Sequence, residues 1–352
     1  MDTKTAPEIA GALGIGWNLG NSYDCHGTWF DNVRMETAWD NPIVTRDFVR
    51  FVAQAGFRTV RIPVTWYMHM DESGTIAEEW LKRVRRAVRM VLAEGMYCIL
   101  DCKHDCGHMI SYGGGWVNAT RENFAKNESR VRAMWTQIAE YFKDEPQELL
   151  IEGFSECMNA ECEWFMPSEE EMEVVNDWNQ LFVETVRATG GNNAERCLIV
   201  TPYASGATPY LLSGFRLPED TVKDRLLLGV HLYVPLGFTS RTATWTRQTD
   251  EFDCLCEEEL ERAFVDIDSG TEELGIPVVI TEFGAMERAN APERAAYAGA
   301  LVALAHRRGM PCLYWDNGKD YCLLKRAERE VAYPGVLAAM MASARYVRGD
   351  EG

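Results

Sequence analysis

Two glutamates stand out because each comes at or just after the end of a short apolar run. Glu156 follows the fourth such run and Glu282 the seventh. Two carboxyl groups about 5–5.5 Å apart can cleave a glycosidic bond with retention, one as proton donor and the other as nucleophile. Other polar and aromatic residues stand at the ends of further runs: Arg61, Lys103, His104, Asp105, Ser155, His231, Tyr233, Trp315 and Asp316. Carboxylates among aromatic side chains point to a site that cleaves carbohydrates.

These residues can share one site only if the apolar runs are strands that end at the same edge. Eight runs are apolar on both faces, as the strands of a covered parallel sheet are. They span residues 15–18, 59–63, 96–100, 149–154, 197–200, 226–230, 277–280 and 310–314. Stretches between them carry apolar residues at helical spacing, for example Leu81, Val84 and Val88. The stretch after residues 205–207 is poorly patterned, so we expect its helix to be short.

Eight strand–helix repeats predict an α/β protein with a (β/α)8 TIM barrel, forming one domain over residues 1–352. The alternative is an open doubly wound sheet, which should carry a glycine-rich phosphate turn after its first strand. Residues 14–18 fit that turn poorly, because bulky side chains fill positions that a dinucleotide needs. A barrel keeps its active site at the C-terminal ends of its strands, where the polar residues named above are expected.

The chain is acidic, with 35 basic and 54 acidic residues and a formal net charge of −19. Such a surface repels phosphate backbones and anionic lipids, so we expect neither a nucleic-acid nor a membrane partner. We expect the protein to act as a monomer. No signal peptide is visible, and eleven cysteines without a repeating pattern favour free thiols. Together these features favour a cytoplasmic location, unless a leader has been removed.

Six segments, in this order along the chain, carry a family resemblance. They are residues 16–24 (GWNLGNSYD), 36–42 (ETAWDNP), 56–66 (GFRTVRIPVTW), 231–233 (HLY), 281–285 (TEFGA) and 314–318 (YWDNG). Together they resemble glycoside hydrolase family 5, whose members are retaining endo-β-glycanases with cellulases prominent among them. The first two segments are similar to the endoglucanase and xyloglucanase branches. The resemblance runs from about Gly14 to Pro334 and implies a β-glucan or xyloglucan substrate, or its oligosaccharides, and no cofactor.

The resemblance also implies roles for individual residues. Glu156 resembles the general acid/base and Glu282 the nucleophile of the family. The remaining positions correspond to groups that orient these two or contact the sugar. Arg61 and Tyr233 would contact the nucleophile and His231 the acid/base, Trp315 would lie under the −1 sugar, and Asn21, Asp24 and His104 would line the substrate cleft.

The sequence departs from the family pattern at two positions. The family usually has asparagine before the acid/base, where this chain has Ser155. It also usually has two histidines after the third strand, where this chain has Lys103 and His104. Both departures fall in the −1 subsite, so they alter either the preferred sugar or the rate. The alternative is therefore a carbohydrate-binding pseudoenzyme that these two residues have disabled.

Several other residues carry competing interpretations. Glu152 lies four residues before Glu156, and we expect it to form a buried ion pair rather than to react. The residues Cys98, Cys102, His104, Cys106 and His108 are separated by even numbers of positions, so they would lie on one face if the third strand continued through all of them. A zinc-dependent hydrolase is therefore an alternative. Strands rarely run that long, however, and we predict no metal. A disulfide between Cys157 and Cys162 is a further alternative. Four loop tryptophans are either sugar-stacking platforms or loop packing: Trp29, Trp116, Trp164 and Trp245.

Overall fold

The centre of the computed structural model, which describes residues 3–27, 35–106 and 115–345, is a closed barrel of eight parallel strands in chain order. The strands are β1 (Ile15–Leu19), β2 (Thr59–Val64), β3 (Tyr97–Cys102), β4 (Leu149–Glu152), β5 (Leu198–Val200), β6 (Leu226–His231), β7 (Val278–Phe283) and β8 (Cys312–Asp316). The barrel closes because β1 pairs with β8 as well as with β2. The predicted (β/α)8 barrel is confirmed.

Helices cover the outside of the barrel. In the described part of the chain they are α1 (Ala6–Leu13), α2 (Arg46–Gln54), α3 (Glu78–Ala93), α4 (Arg121–Phe142), α5 (Glu169–Ala188), α6 (Pro209–Ser213), α7 (Leu236–Thr239), α8 (Cys254–Thr271), α9 (Ala291–Arg307) and α10 (Pro334–Arg345). A small hairpin of β9 (Leu324–Lys325) and β10 (Glu330–Val331) follows β8. The helix expected to be short is α6, with five residues. None of the helices described has both the length and the apolar character needed to cross a bilayer.

Helix α1, which the sequence analysis did not anticipate, closes the N-terminal end of the barrel. Its apolar face joins a cluster with the inward-facing residues at the bottom of the strands. These partners are Tyr97, Ile99, Leu150, Cys197, Ile199, Leu227, Val279 and Leu313. Packing here is tight enough to require glycine in β1, because a Cβ on Gly16 would lie 2.4 Å from Leu313 Cγ. The lower half of the barrel is therefore packed core, and ligands must bind at the other end.

Above this apolar layer the interior of the barrel becomes polar and ionic. Asp101 and Glu152 stand two residues further along β3 and β4 than Ile99 and Leu150 of the lower layer, so they face inward as well. Asn18 and Arg61 also face inward, because Arg61 contacts Asn18, Asp101 and Glu152. All four are at most 1% exposed. The interior of the barrel therefore changes from apolar to charged between one layer of inward-facing side chains and the next, and the charged layer lies at the base of the C-terminal rim.

Some polar residues lie elsewhere along their strands than expected. Glu282 and Trp315 are inside β7 and β8 rather than after them, and Arg61 is the third residue of β2. Glu152, expected in mid-strand, is the last residue of β4, four residues before Glu156. Polar side chains that point into the barrel mouth interrupt the apolar pattern without ending the hydrogen-bonded strand. The end of an apolar run in the sequence therefore shows where a strand becomes polar, but the strand itself can continue further.

Candidate active site

Arg61 is the hub of the polar layer. Its Nε donates to Glu152 Oε2 at 2.6 Å, and its Nη2 lies 2.8 Å from Asp101 Oδ2. Its Nη1 donates to Glu282 Oε1 at 2.7 Å and to Asn18 Oδ1 at 3.0 Å. Glu152 thus makes the buried ion pair expected of it. Asn18 and Asp101 were not singled out from the sequence, although their inward parity in strands next to β2 was available as a signal.

Glu282 is held from three directions at the rim. Its Oε1 accepts hydrogen bonds from Arg61 and, at 2.6 Å, from Lys103 Nζ, while its Oε2 accepts from Tyr233 Oη at 2.9 Å. Burial by itself would raise the pKa of this carboxyl. The charges of His231, Lys103 and Arg61 outweigh burial and lower the pKa of Glu282 below its ordinary value. Glu282 is therefore ionised at neutral pH, as a nucleophilic carboxylate must be.

Glu156 approaches the same space from the opposite wall. It lies in the loop after β4 with a φ of 54°, a left-handed conformation that is uncommon for a residue with a side chain. Its backbone N–H donates to Ser205 Oγ at 2.9 Å. Its Oε1 lies 2.8 Å from His231 Nδ1, and its Oε2 lies 3.2 Å from Lys103 Nζ. Backbone strain of this kind is concentrated at functional sites.

The two carboxyl groups are close together. One oxygen of Glu156, one nitrogen of His231 and one oxygen of Glu282 all lie within 4.8 Å of one another. Among the described residues this is the single set of three or more His, Cys, Asp or Glu side chains with metal-binding geometry. The ammonium of Lys103 contacts both carboxylates, so a cation is already present and the set fits a metal ion poorly.

Lys103 and Ser155, the two departures from the family pattern, touch each other. Lys103 Nζ donates to Ser155 Oγ at 3.2 Å, and Arg61 Nη2 donates to the same oxygen at 3.2 Å. Lys103 is 4% exposed and Ser155 is fully buried. Burial opposes the charge of Lys103, but Glu156 and Glu282 more than compensate and raise its pKa above the ordinary value. Lys103 is therefore a permanent cation between the two carboxylates.

Trp315 forms one side of this space, and its ring centroid is 5.0 Å from Lys103 Nζ. The indole packs so closely on β1 that a Cβ on Gly20 would lie 2.8 Å from the ring. Only 9% of Trp315 is exposed. The ring is thus fixed in orientation next to the carboxylates, as a platform for a sugar requires.

His104, Asp24 and Asn21 lie on the β1–β3 side. His104 Nε2 is 3.9 Å from Asp24 Oδ2, and its ring packs on His26 with centroids 4.6 Å apart. Asp24 is fully buried, and burial raises its pKa to about 6 against hydrogen bonds from backbone N–H groups. The backbone carbonyl of Asn21 accepts from Asn41 Nδ2 at 2.9 Å. Direct contact with substrate stays a prediction for Asn21, Asp24 and His104.

A groove of about 330 Å³ is lined by residues of the loops after β4 and β6 and of α8. Val234 and Pro235, which directly follow Tyr233 in the chain, line it together with Leu236. Its large apolar side chains are Phe165, 43% exposed, and Trp245, 69% exposed. Of the loop tryptophans, Trp245 therefore stands at the mouth of a groove. Trp116 and Trp164 pack against the core, and Trp29 is outside the described residues.

The eleven cysteines all lie in the described part of the chain and carry no disulfide, so the alternative of a disulfide between Cys157 and Cys162 is wrong. Cys98, Cys102 and Cys106 are buried, and burial raises the pKa of each thiol. The metal-like set described above contains none of them, and His108 lies outside the described residues. Raised thiol pKa values disfavour the thiolate form that zinc requires.

Comparison with known proteins places this barrel among characterised ones. The family Cellulase (glycosyl hydrolase family 5) matches residues 23–321. Endoglucanase A of Clostridium longisporum is 33% identical over 345 residues, which cover 92% of this chain and 63% of that longer protein. A GH5-4 broad specificity endoglucanase from Ruminococcus champanellensis, solved with bound cellotriose, is 34% identical with a TM-score of 0.90, covering 97% of this chain and 99% of that one. A variant of a family 5 enzyme from Prevotella bryantii, solved with a xyloglucan tetradecasaccharide, is 32% identical with a TM-score of 0.88 and covers the same shares.

Proposed function

The chain belongs to glycosyl hydrolase family 5, and from this premise we propose that it is a retaining endo-β-1,4-glycanase. It hydrolyses O-glycosidic bonds of a β-glucan or xyloglucan by double displacement, without a cofactor. The substrate class is supported by the relatives, one solved with cellotriose and another with a xyloglucan tetradecasaccharide. Action as a monomer stays a prediction.

The proximity of Glu156 and Glu282 is the observation that carries this proposal. Their nearest oxygens lie within 4.8 Å, on opposite walls of one cleft. Retaining enzymes have carboxyl groups about 5–5.5 Å apart, whereas inverting enzymes need about 6.5–9.5 Å to admit a water molecule. The separation supports direct attack by one carboxylate on the anomeric carbon.

In the first step, Glu282 attacks C1 of the sugar in the −1 subsite, the subsite whose anomeric carbon reacts. A bond forms between a Glu282 oxygen and C1 while the bond from C1 to the glycosidic oxygen breaks. Glu156 delivers its proton to that oxygen, so the leaving chain departs as an alcohol. The ionised state of Glu282, caused by His231, Lys103 and Arg61, supports its role as nucleophile.

In the second step, Glu156 acts as a base. It removes a proton from a water molecule that attacks C1, and the bond to Glu282 breaks to release the free sugar with its original anomeric configuration. His231, 2.8 Å from Glu156, orients the carboxyl that must gain and lose this proton. Tyr233 steadies Glu282 Oε2 through both steps.

The activity test is hydrolysis of purified polysaccharides by the wild-type protein and by Glu282→Gln and Glu156→Gln. The panel is barley β-glucan, xyloglucan, carboxymethylcellulose, mannan and xylan, with products separated by size and the first anomer identified by NMR. We expect internal cleavage of a β-glucan or xyloglucan with initial release of the β-anomer, and a loss of at least about 1,000-fold in Glu282→Gln. Oligosaccharide binding without turnover on any substrate would select the pseudoenzyme instead.

A further inference from the structure

Lys103 occupies a position that the mechanism above does not explain. Its ammonium has three N–H donors, and three acceptors surround it: Glu282 Oε1 at 2.6 Å, Glu156 Oε2 at 3.2 Å and Ser155 Oγ at 3.2 Å. A group needed only to keep Glu282 ionised would duplicate Arg61, which already contacts that carboxylate at 2.7 Å. Lys103 contacts both carboxylates, at 2.6 Å from Glu282 and 3.2 Å from Glu156. His231 also lies between them, but its nitrogen is 3.5 Å from Glu282, so Lys103 makes the shorter contact with that carboxylate.

A bound sugar would bring one particular hydroxyl to this ammonium. The anomeric carbon must approach Glu282 and the glycosidic oxygen must approach Glu156, while the ring lies against Trp315, 5.0 Å from Nζ. Carbon 2 is bonded to the anomeric carbon, so its hydroxyl enters the space beside Glu282 Oε1 that Nζ borders. Hydrogen bonds to this hydroxyl strengthen in the transition state of glycoside cleavage.

We propose that Lys103 recognises the 2-hydroxyl of the sugar in the −1 subsite, with Ser155 holding its ammonium in place. This inference rests on the proposed function and deepens it. The hydroxyl oxygen accepts a hydrogen bond from Nζ in place of Glu156 Oε2, because Glu156 turns to the glycosidic oxygen when substrate binds. The hydroxyl donates its own hydrogen bond to Glu282 Oε1. Lys103 thereby selects substrates with a 2-hydroxyl on the side of the ring that faces Glu282, as in glucosides.

The two departures from the family pattern then form one compensating pair. Ser155 Oγ accepts hydrogen bonds from both Lys103 and Arg61, so both of its lone pairs are used. A longer amide side chain at position 155 would project into the 3.2 Å between Oγ and Nζ. The short side chain of Ser155 leaves space for the long side chain of Lys103, and the ammonium of Lys103 supplies the hydrogen-bond donor to the sugar.

The test pairs a deletion in the enzyme with a deletion in the substrate. The kcat/KM of wild type and Lys103→Met is measured on 4-nitrophenyl β-cellobioside and on its analogue lacking the 2-hydroxyl of the ring that carries the nitrophenyl group. Wild type should lose about 10- to 100-fold on removal of the hydroxyl, as expected for a hydrogen bond to a charged group. Lys103→Met should lose less than about 3-fold, because its partner is already missing. The intrinsic reactivity of the deoxy sugar cancels in the comparison.

The competing view is that Lys103 only holds the two carboxylates in place. In that case both enzymes lose the same factor when the hydroxyl is removed, and the inference is overturned. A wild type that hydrolyses no β-glycan at all overturns the proposed function together with this inference. Lys223→Met is the matched control, because Lys223 is exposed and precedes β6 at the other end of the barrel. It should behave as wild type on both substrates.

Two further measurements keep the inference testable if Lys103→Met folds poorly. Ser155→Ala removes one of the three acceptors of Nζ, so the factor lost on removing the hydroxyl should fall at least about 3-fold below that of wild type. An unchanged factor contradicts the role given to Ser155. Lys103→Gln should also move the pH profile of kcat/KM toward higher pH, because removing a cation raises the pKa of both neighbouring carboxyls. A profile that does not move excludes contact between the ammonium and those carboxyls.

The charged and titratable groups around Lys103 come from six strands and their adjoining loops, and all of them face the site whose pH profile is measured. They are Asp24, Arg61, Asp101, Glu152, Glu156, His231, Tyr233 and Glu282. Only Glu156 and Glu282 contact Nζ directly. The shift in Lys103→Gln should therefore appear on both limbs of the profile, whereas a change confined to one limb would contradict the bridging position.

Discussion

Replacing Arg61 with methionine should destabilise the barrel more than any surface ion pair can. Its guanidinium lies 2.6 Å from Glu152, 2.7 Å from Glu282 and 2.8 Å from Asp101, and all four side chains are at most 2% exposed. Removing one partner of a buried ion pair costs about 3–5 kcal/mol, because the remaining charges lie uncompensated away from water. For a chain of this length that corresponds to a fall in Tm of about 4–7 °C.

The loss should also depend on pH, with a sign that follows from linkage. In the wild type the pKa of Glu282 is lowered, so its ionised form stabilises the fold above the ordinary carboxyl pKa and that contribution is lost as pH falls. In the wild type, burial already raises the pKa of Asp101. Removing the Arg61 charge raises the pKa of Asp101 further and that of Glu282 as well, because both lose a cation that opposes burial. The folded variant then binds more protons than the unfolded chain, so its stability falls as pH rises through this range. The gap between wild type and variant therefore widens from acidic to neutral pH.

Thermal unfolding followed by circular dichroism from pH 4.5 to pH 8 measures both effects. Arg308→Met is the matched control, because Arg308 Nε lies 2.7 Å from Asp268 at the surface, with the two side chains 23% and 45% exposed. An exposed pair contributes at most about 1 kcal/mol, so the control should shift Tm by little more than 1 °C. A gap for Arg61→Met that matches the control, or that narrows as pH rises, would refute this reasoning.

Three further predictions concern catalysis. Tyr233→Phe removes the 2.9 Å hydrogen bond to Glu282 Oε2, so kcat on β-glucan should fall about 10-fold while the fold is unchanged. An unaltered kcat in a variant with the wild-type Tm would contradict this prediction. Because the pKa of Glu282 is lowered, the acid limb of the pH profile of kcat/KM should have its midpoint below the ordinary glutamate pKa of about 4.3. A midpoint above pH 5 would contradict the effect assigned to the charges of His231, Lys103 and Arg61. Trp245→Ala should raise KM for polysaccharides several-fold but not for 4-nitrophenyl β-cellobioside, because none of the described residues that line its groove contacts Glu156 or Glu282 and a short substrate can react without reaching it. Leu255→Ala, exposed on α8, is the control, and equal effects of Trp245→Ala on both substrates would contradict a role in polysaccharide binding.

Much of the fold follows from local patterns that the sequence contains. Eight strands buried on both faces are continuous apolar runs, and the stretches between them repeat apolar residues at helical spacing, so the barrel could be predicted. Helix α1 was missed because it precedes the first strand and belongs to no strand–helix repeat. The positions of Glu282 and Trp315 inside their strands were missed because an inward polar or aromatic side chain resembles a strand end in the sequence.

The candidate site divides in the same way. Sequence analysis placed Glu156, Glu282, His231 and Tyr233 near one rim, because strands of a parallel barrel end on the same side. It did not predict that Asn18 and Asp101 complete the charged layer beneath them. Their strands are apolar overall, and one inward polar residue in such a strand has no distinctive local pattern. The groove beside Trp245 also depends on loop shape, which local spacing does not determine.

The amino-acid sequence by itself determined the barrel and indicated the rim and the two candidate carboxylates, because periodicity and short motifs are properties of neighbouring residues. Only the tertiary structure decided that the oxygens of Glu156 and Glu282 lie within 4.8 Å and that Lys103 reaches both. Those contacts join residues far apart in the chain, and they depend on barrel closure and on the length of one side chain beside a short serine. The separation between two catalytic carboxyl groups differs by only a few ångströms between retaining and inverting enzymes. No local sequence pattern encodes a distance across the barrel.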